Sequence, residues 1–181
     1  MLHITIPAGE AYNEQTNEFI SVKEQTLALE HSLVSISKWE AKWRKPFLGT
    51  ESKTRAEMID YIRCMTLTQN VDPDVYNFIT PQNIEEISTY IEAPMTATWF
   101  NEREGRGKRN NEIVTSEIIY YWMVSFNIPV EFQKWHLNRL LTLIKVCSLK
   151  NEPQKKMSKR EILDRNKAIN KARRESMHTS G

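Results

Sequence analysis

The chain has little of what several common protein classes require. It contains only 2 cysteines in 181 residues, too few for a fold held together by disulfides. Glycine and proline are also scarce, with 5 and 7 residues, which argues against a turn-rich β-sandwich or barrel. No apolar run approaches the roughly 18 residues of a membrane span, and residues 1–9 lack the pattern of a secretory signal. We therefore expect a cytosolic protein.

The sequence also lacks the motifs of the common enzyme and metal-site classes. There is no phosphate-binding glycine loop, no GxSxG elbow and no HExxH, and no histidine lies at zinc-ligand spacing from a cysteine or another histidine. Cys64 and Cys147 lie in apolar helical stretches, where a buried, reduced thiol is more common than a nucleophile. We expect no catalytic residue, no cofactor, no metal, no small-molecule substrate and hence no enzyme.

The apolar residues that are present indicate a mainly α-helical domain with a small N-terminal β-hairpin. Alternation over residues 2–6, followed by a short β-type stretch at 19–22, predicts the two strands of the hairpin. From Thr26 the period changes to steps of three and four, which predicts one long helix ending at Pro46. The apolar stripe of this predicted helix comprises Leu29, Leu33, Ile36, Trp39 and Trp43.

Further helices are predicted along the rest of the chain. Asp72 and Thr80 each precede a proline and are read as helix N-caps. Residues 113–126 are apolar on all sides and predict a buried helix, with a buried strand as the alternative. The segment 101–111 is polar, glycine-containing and basic, and predicts an exposed loop. The other predicted helices run from 52 to 68, from 129 to 149, and from Ser158, which opens a capping box, to Arg174.

Charge divides the chain into two regions. Residues 150–181, the basic arm, carry 10 Lys and Arg against 4 Asp and Glu, a net charge of +6. Residues 1–149, the body, carry the remaining 15 basic and 19 acidic residues, a net charge of −4. Such asymmetry indicates an arm that meets either its own body or an acidic partner. The partner can be a protein, the body of a neighbouring copy, or a nucleic acid backbone. The arm contains no aromatic residue, which counts against stacking on single-stranded nucleic acid.

Several segments resemble a group of small proteins encoded in the structural-gene clusters of tailed bacteriophages. The resemblance spans most of the chain and implies a helical, non-enzymatic tail assembly chaperone. Such proteins bind the long helical tape measure protein and help tail tube subunits to polymerise around it. The segments that carry the resemblance are LEHSLVSISKWEAKW (29–43), YIRCMTLTQNVDP (61–73), APMTATWF (93–100), EIIYYWM (117–123), KWHLNRLLTLIKVCSLKN (134–151) and KKMSKREI (155–162).

Two other functions remain open from the sequence. A structural component of the virion tail or neck would use the arm to lock subunits together, and a nucleic-acid-binding protein would use it to contact phosphates. The resemblance implies the host cell cytoplasm during phage assembly, or the virion in the structural case. The predicted partner-binding residues are Trp99 and Phe100, together with the arm residues Lys155, Lys156, Lys159, Arg160, Arg165, Lys167, Lys171, Arg173 and Arg174. Trp39 and Trp43 are weaker candidates, because burial in the core is the commoner fate of aromatic residues on a helical stripe.

Overall fold

The computed structural model describes residues 1–13, 18–100, 113–151 and 159–177. The predicted loop at 101–111 and the predicted cap Ser158 lie outside these residues. The chain forms two compact units, Met1–Ser148 and Leu149–Gly181. Among the described helices, none combines the length and the apolar character needed to cross a bilayer.

The N-terminal β element consists of two antiparallel pairs of strands. The strands are β1 (Leu2–Ile6), β2 (Gly9–Asn13), β3 (Glu18–Val22) and β4 (Gln25–Leu29). β2 pairs with β3, while β1 pairs with β4 so that Leu2 lies opposite Leu29 and Ile4 lies opposite Leu27. Because side chains alternate along a strand, the apolar residues of β1 and β4 share the face that is buried in the core.

Three of the helices begin after a residue whose side chain caps them. Ser32, Thr54 and Thr80 each accept a hydrogen bond from the backbone N–H three residues later, and the residue at that third position bonds back in a capping box. The helices are α1 (Leu33–Trp43), α2 (Arg55–Met65), α3 (Pro81–Glu92), α4 (Ser116–Ser125), α5 (Leu137–Asn151) and α6 (Lys159–Met177), with 3-10 helices at Pro73–Phe78 and Val130–Lys134. The mainly α-helical fold with a small N-terminal β element is therefore confirmed. The predicted strands at 2–6 and 19–22 both exist but do not pair with each other, because residues 25–29 and 9–13 supply their partners.

The core of the first unit lies between the β1–β4 pair and the helices. α1 packs against α2 and α4, and α3 packs against β1. Trp39, Leu33 and Ile36 of α1 are at most 1% exposed, as are Ile119 of α4 and Leu140 of α5. Each of the helices α1 to α5 thus directs an apolar stripe into one shared core.

The prediction of one long helix from Thr26 is wrong. Residues 25–29 form β4, and α1 begins only at Leu33 after the N-cap Ser32. Leu29 satisfies both a period of two with Leu27 and a period of four with Leu33, so the sequence pattern allowed either structure. The strand forms because β1, whose paired residues lie 19 to 27 positions earlier in the chain, supplies the hydrogen-bonding partner on one side. Residues 66–67 add bonds on the other side, where the Leu67 N–H donates to the Ala28 carbonyl at 2.8 Å.

Residues 113–126 contain the predicted helix, but the prediction that this helix is buried on all sides is wrong. The helix α4 exists, but Tyr121 and Val124 are 68% and 76% exposed. Ile119 and Met123 on the opposite side are buried. The helix therefore buries one face only, and its apolar outer face lies at the surface.

Smaller differences concern helix ends and the cysteines. The predicted helix 129–149 is interrupted at Trp135 and His136, and the predicted helix 52–68 is shortened to α2. Cys64 and Cys147 are both half-buried rather than fully buried. Burial raises the pKa of the Cys64 thiol, and the nearby Asp60 charge adds to this, so the reactive thiolate is disfavoured.

Candidate functional site

The arm helix α6 is exposed along its described length. Residues 163–177 are all solvent-exposed, including Leu163 at 59% and Met177 at 71%. A helix that packs no apolar face is only weakly stable in water, because most helical stability in proteins comes from such packing. The exposed apolar side chains of α6 are therefore available for a partner.

One stripe along α6 combines cationic and apolar side chains. The stripe follows steps of three and four residues, which keep side chains on one side of a helix. We call it the basic stripe, and its members are Arg160, Leu163, Lys167, Asn170, Arg174 and Met177. Its cations recur every seven residues, about 10 Å apart along the axis at 1.5 Å per residue. This arrangement can contact an acidic helix and bury apolar surface at the same time.

The other predicted arm residues lie at different positions. Arg165 and Arg173 precede and follow Ile169 by four residues, so these two cations flank an apolar side chain on another side of α6. Lys171 lies beside the basic stripe, and its Nζ is 4.0 Å from the Glu175 carboxylate. Lys159 is the first residue of α6, whereas Lys155 and Lys156 lie outside the described residues.

Trp99 and Phe100 have different environments although they are adjacent. They follow α3 in a segment without regular structure, after Met95 with a left-handed φ of 49°. Trp99 is 93% exposed, while Phe100 is half-buried with its ring centroid 4.1 Å from the Lys145 Nζ on α5. Phe100 therefore holds the segment against α5 through a cation–π contact, and Trp99 presents its indole to solvent.

Trp39 and Trp43 belong to the core rather than to a binding surface. Trp39 is 1% exposed, and its indole Nε1 donates to the Glu57 carbonyl at 2.9 Å. Trp43 is half-buried and donates from Nε1 to the Asp60 carboxylate at 2.8 Å. Both indole N–H groups are thus satisfied inside the protein, which agrees with the core interpretation of this aromatic pair.

A second group of polar residues, which sequence reasoning missed, lies inside the first unit. The buried side chains of His31 and His136 are 105 positions apart in the chain, but their ring centroids are 5.1 Å apart. The two segments are joined by a backbone hydrogen bond of 2.7 Å from the Leu137 N–H to the His31 carbonyl. No local spacing signals this contact, because it depends on how α5 packs beside the start of α1.

Hydrogen bonds assign the protonation of His136. Its Nε2 lies 3.0 Å from the Tyr90 carbonyl, which can only accept, so Nε2 carries the proton. Its Nδ1 accepts from the Asn138 backbone N–H at 3.3 Å. The ring is therefore neutral and held at both nitrogens inside the protein.

The partners of His31 extend the same buried group. Its Nδ1 lies 2.5 Å from the Tyr61 hydroxyl. Burial lowers the pKa of His31 to about 3, and repulsion from His136, when that ring is protonated, contributes to the shift. Nearby, the Tyr90 hydroxyl donates to the Glu30 carboxylate at 2.6 Å. Within the described residues, no cluster of three or more His, Cys, Asp or Glu side chains could hold a metal ion. The arrangement stabilises neutral imidazoles inside the core.

Acid is expected to destabilise the fold through these histidines. Burial lowers the pKa of both His31 and His136, so below the unfolded value of about 6.5 the unfolded chain binds protons that the native protein does not. The free energy of unfolding then falls as the pH falls, and His31 alone contributes a loss of about 2 kcal/mol at pH 4.5. Urea denaturation at pH 7.0 and 4.5 measures the difference.

The variant His31→Gln provides the control for this prediction. It removes one titrating group, so its free energy of unfolding is lower at pH 7.0 but falls less steeply with acid. Equal slopes for His31→Gln and the unaltered protein between pH 6.5 and 4.5 would contradict the assignment.

No protein-family model, no curated protein and no solved structure matches the chain.

Proposed function

We propose that this protein acts by protein–protein contact as a bacteriophage tail assembly chaperone. Its clients would be the helical tape measure protein and the tail tube subunits, as the resemblance of residues 29–162 implies. The observation that carries the proposal is α6, an exposed helix whose basic stripe places Leu163 and Met177 among cations. This chemistry suits contact with a helical protein that has acidic and apolar side chains on one face.

The physical argument for a protein client rests on apolar exposure. A helix that only attracted phosphates would gain nothing from Leu163 and Met177, which are more than half exposed. Burying two such side chains against a client stabilises the complex by about 3 kcal/mol and also stabilises a helix that is marginal alone. Binding and ordering of the arm are then coupled.

Trp99 supplies a second contact in this proposal. Aromatic side chains dominate the affinity of many protein interfaces, and an indole that is 93% exposed has its full surface available for burial. Phe100 anchors the segment on α5, so the position of Trp99 is held by the folded unit rather than by the client.

The proposal predicts that Trp99→Ala weakens binding to the tape measure protein without affecting stability. The dissociation constant is expected to rise at least about tenfold, the effect of a typical aromatic hot spot. Co-expressed tape measure fragments and calorimetric titration provide the measurement. Tyr121→Ala on α4 is a matched control, because Tyr121 is also exposed and aromatic but lies in a different segment. Equal affinities for both variants and the unaltered protein would remove Trp99 from the interface.

Mass spectrometry of purified mature particles tests the chaperone role itself. A chaperone is expected to be abundant in the infected-cell lysate and missing from the particles. Stoichiometric presence in the particles would instead make the protein a tail or neck component.

Nucleic acid binding is the second candidate function, favoured by the cations Arg160, Lys167 and Arg174 on one side of α6. Their neutralisation of phosphates would make affinity fall steeply with salt. Deletion of residues 150–181 should then abolish binding to duplex DNA, whereas Trp99→Ala should leave it unchanged. Binding of the tape measure protein that is lost in Trp99→Ala, with no measurable affinity of the unaltered protein for duplex DNA, would favour the chaperone function.

A further inference from the structure

An open groove lies along the outer side of α3. It has a volume of about 610 Å³ and is bounded by α3, the residue that follows it and the first strand. Gln82, Glu85, Glu86 and Thr89 lie on α3 at spacings that place them on one side of the helix. The remaining lining residues are Leu2 of β1, Tyr90 and Ala93.

The groove has an apolar floor and an acidic rim. Leu2, Tyr90 and Ala93 are partly or fully buried and supply apolar surface. Glu85 and Glu86 are exposed, and Gln82 donates to the Glu86 carboxylate at 3.2 Å. An occupant must therefore offer apolar side chains together with positive charge. A helix satisfies this most simply, because α3 presents a straight row of side chains against which a second helix packs.

We propose that the occupant of this groove is the helix α6 of a second copy of the protein. The basic stripe of α6 supplies the chemistry that the groove requires, with Leu163 facing the apolar floor and Lys167 or Arg174 meeting the rim carboxylates. The charges of the whole chain agree, because the arm carries +6 and the body −4. Attraction between the arm of one copy and the body of another follows from this asymmetry.

A symmetric dimer follows from the proposal. Each copy has one groove and one arm, so two copies can exchange arms and fill both grooves at once. In such a two-fold arrangement, every contact occurs twice, and a change to either surface acts on two sites. Reversing the charge of a few residues is therefore expected to change the dimer dissociation constant strongly.

This self-association does not require the tail assembly function, although a client and a second copy would compete for the basic stripe. It is measured with the purified, nuclease-treated full chain and no client. Sedimentation velocity over a range of concentrations gives the dimer dissociation constant. The double variant Glu85→Lys/Glu86→Lys and the double variant Lys167→Glu/Arg174→Glu are each expected to raise that constant at least about tenfold. Combining all four substitutions restores opposite charges and should return the constant to within about threefold of the original.

Glu24→Lys/Glu131→Lys is the matched control for the groove. It makes the same change in net charge at two exposed carboxylates that do not line the groove, and it should leave dimerisation unchanged. Circular dichroism checks that the helical content of each variant is retained. A protein that stays monomeric at all concentrations, or a quadruple variant that fails to restore dimers, overturns the proposal. An equal effect of the control pair also overturns it, because net charge alone would then explain the result.

Discussion

Replacing Trp39 with alanine is expected to lower the free energy of unfolding by about 3–5 kcal/mol. The side chain is 1% exposed and packs edge-on against Phe47 with ring centroids 5.2 Å apart. Its removal leaves a cavity between α1 and α2 and leaves the Glu57 carbonyl without its indole donor. A single domain commonly has only about 5–15 kcal/mol of stability, so a large fraction would be lost. Urea denaturation followed by far-ultraviolet circular dichroism gives the measurement.

Trp99→Ala is the matched control for this experiment, because it removes the same side chain from a position that is 93% exposed. Its free energy of unfolding should change by less than about 0.5 kcal/mol. A similar loss for both variants would contradict the assignment of Trp39 to the core and Trp99 to the surface.

Replacing Glu40 with alanine is expected to cost about 2–4 kcal/mol, because two buried N–H groups lose their acceptor. The Glu40 carboxylate accepts from the Phe47 N–H at 2.7 Å and from the Ser116 N–H at 2.8 Å. Ser116 opens α4, so a carboxylate from α1 caps α4 and lies at the positive end of its dipole. Within the described residues, the preceding Thr115 makes no side-chain cap bond to α4. The free energy of unfolding, measured in urea at pH 7, tests this role.

Two further variants separate the acceptor role of Glu40 from a general loss of charge. Glu40→Gln keeps one acceptor oxygen, so its loss of stability should be smaller than that of Glu40→Ala. Glu24→Ala removes an exposed carboxylate and should change stability by less than about 0.5 kcal/mol. If Glu40→Ala also stays within that range, the carboxylate does not hold α1 and α4 together.

Two helix starts were predicted correctly from the sequence. Asp72 and Thr80 precede prolines, and both side chains accept a hydrogen bond from the helix that follows. Capping depends on three or four consecutive residues, so the chemistry that determines it is visible in the sequence. Core positions such as Ile36 and Trp39 were predictable for the same reason, because helical periodicity is also a local property.

Errors arose where distant segments compete for the same residues. Residues 26–31 fit a helical period, yet 25–29 became a strand because β1 offers a hydrogen-bonding edge and shares the core face. The outer face of α4 is apolar in sequence but remains uncovered by the first unit, as Tyr121 and Val124 show. Both outcomes depend on which elements pack together, and local spacing does not encode that.

Some features of the candidate site could likewise be predicted from the sequence, and others could not. The excess positive charge of residues 150–181 is a property of composition and was available from the sequence. The different exposures of Trp99 and Phe100 were not, because the Phe100–Lys145 contact joins segments 45 residues apart. The groove along α3 was also invisible in the sequence, since Leu2 lies 80 or more positions before the other residues that line it.

The sequence by itself determined the helical class, the helix starts at Asp72 and Thr80, and the charge division between body and arm. These properties arise from residues that are close in the chain or from composition, so they hold whatever the final packing. Only the tertiary structure decided that His31 meets His136, that Glu40 caps α4 and that Trp99 is exposed while Trp39 is buried. Each of these features depends on how residues distant in the chain pack together. The stabilising energy of such packing is gained only when the core forms.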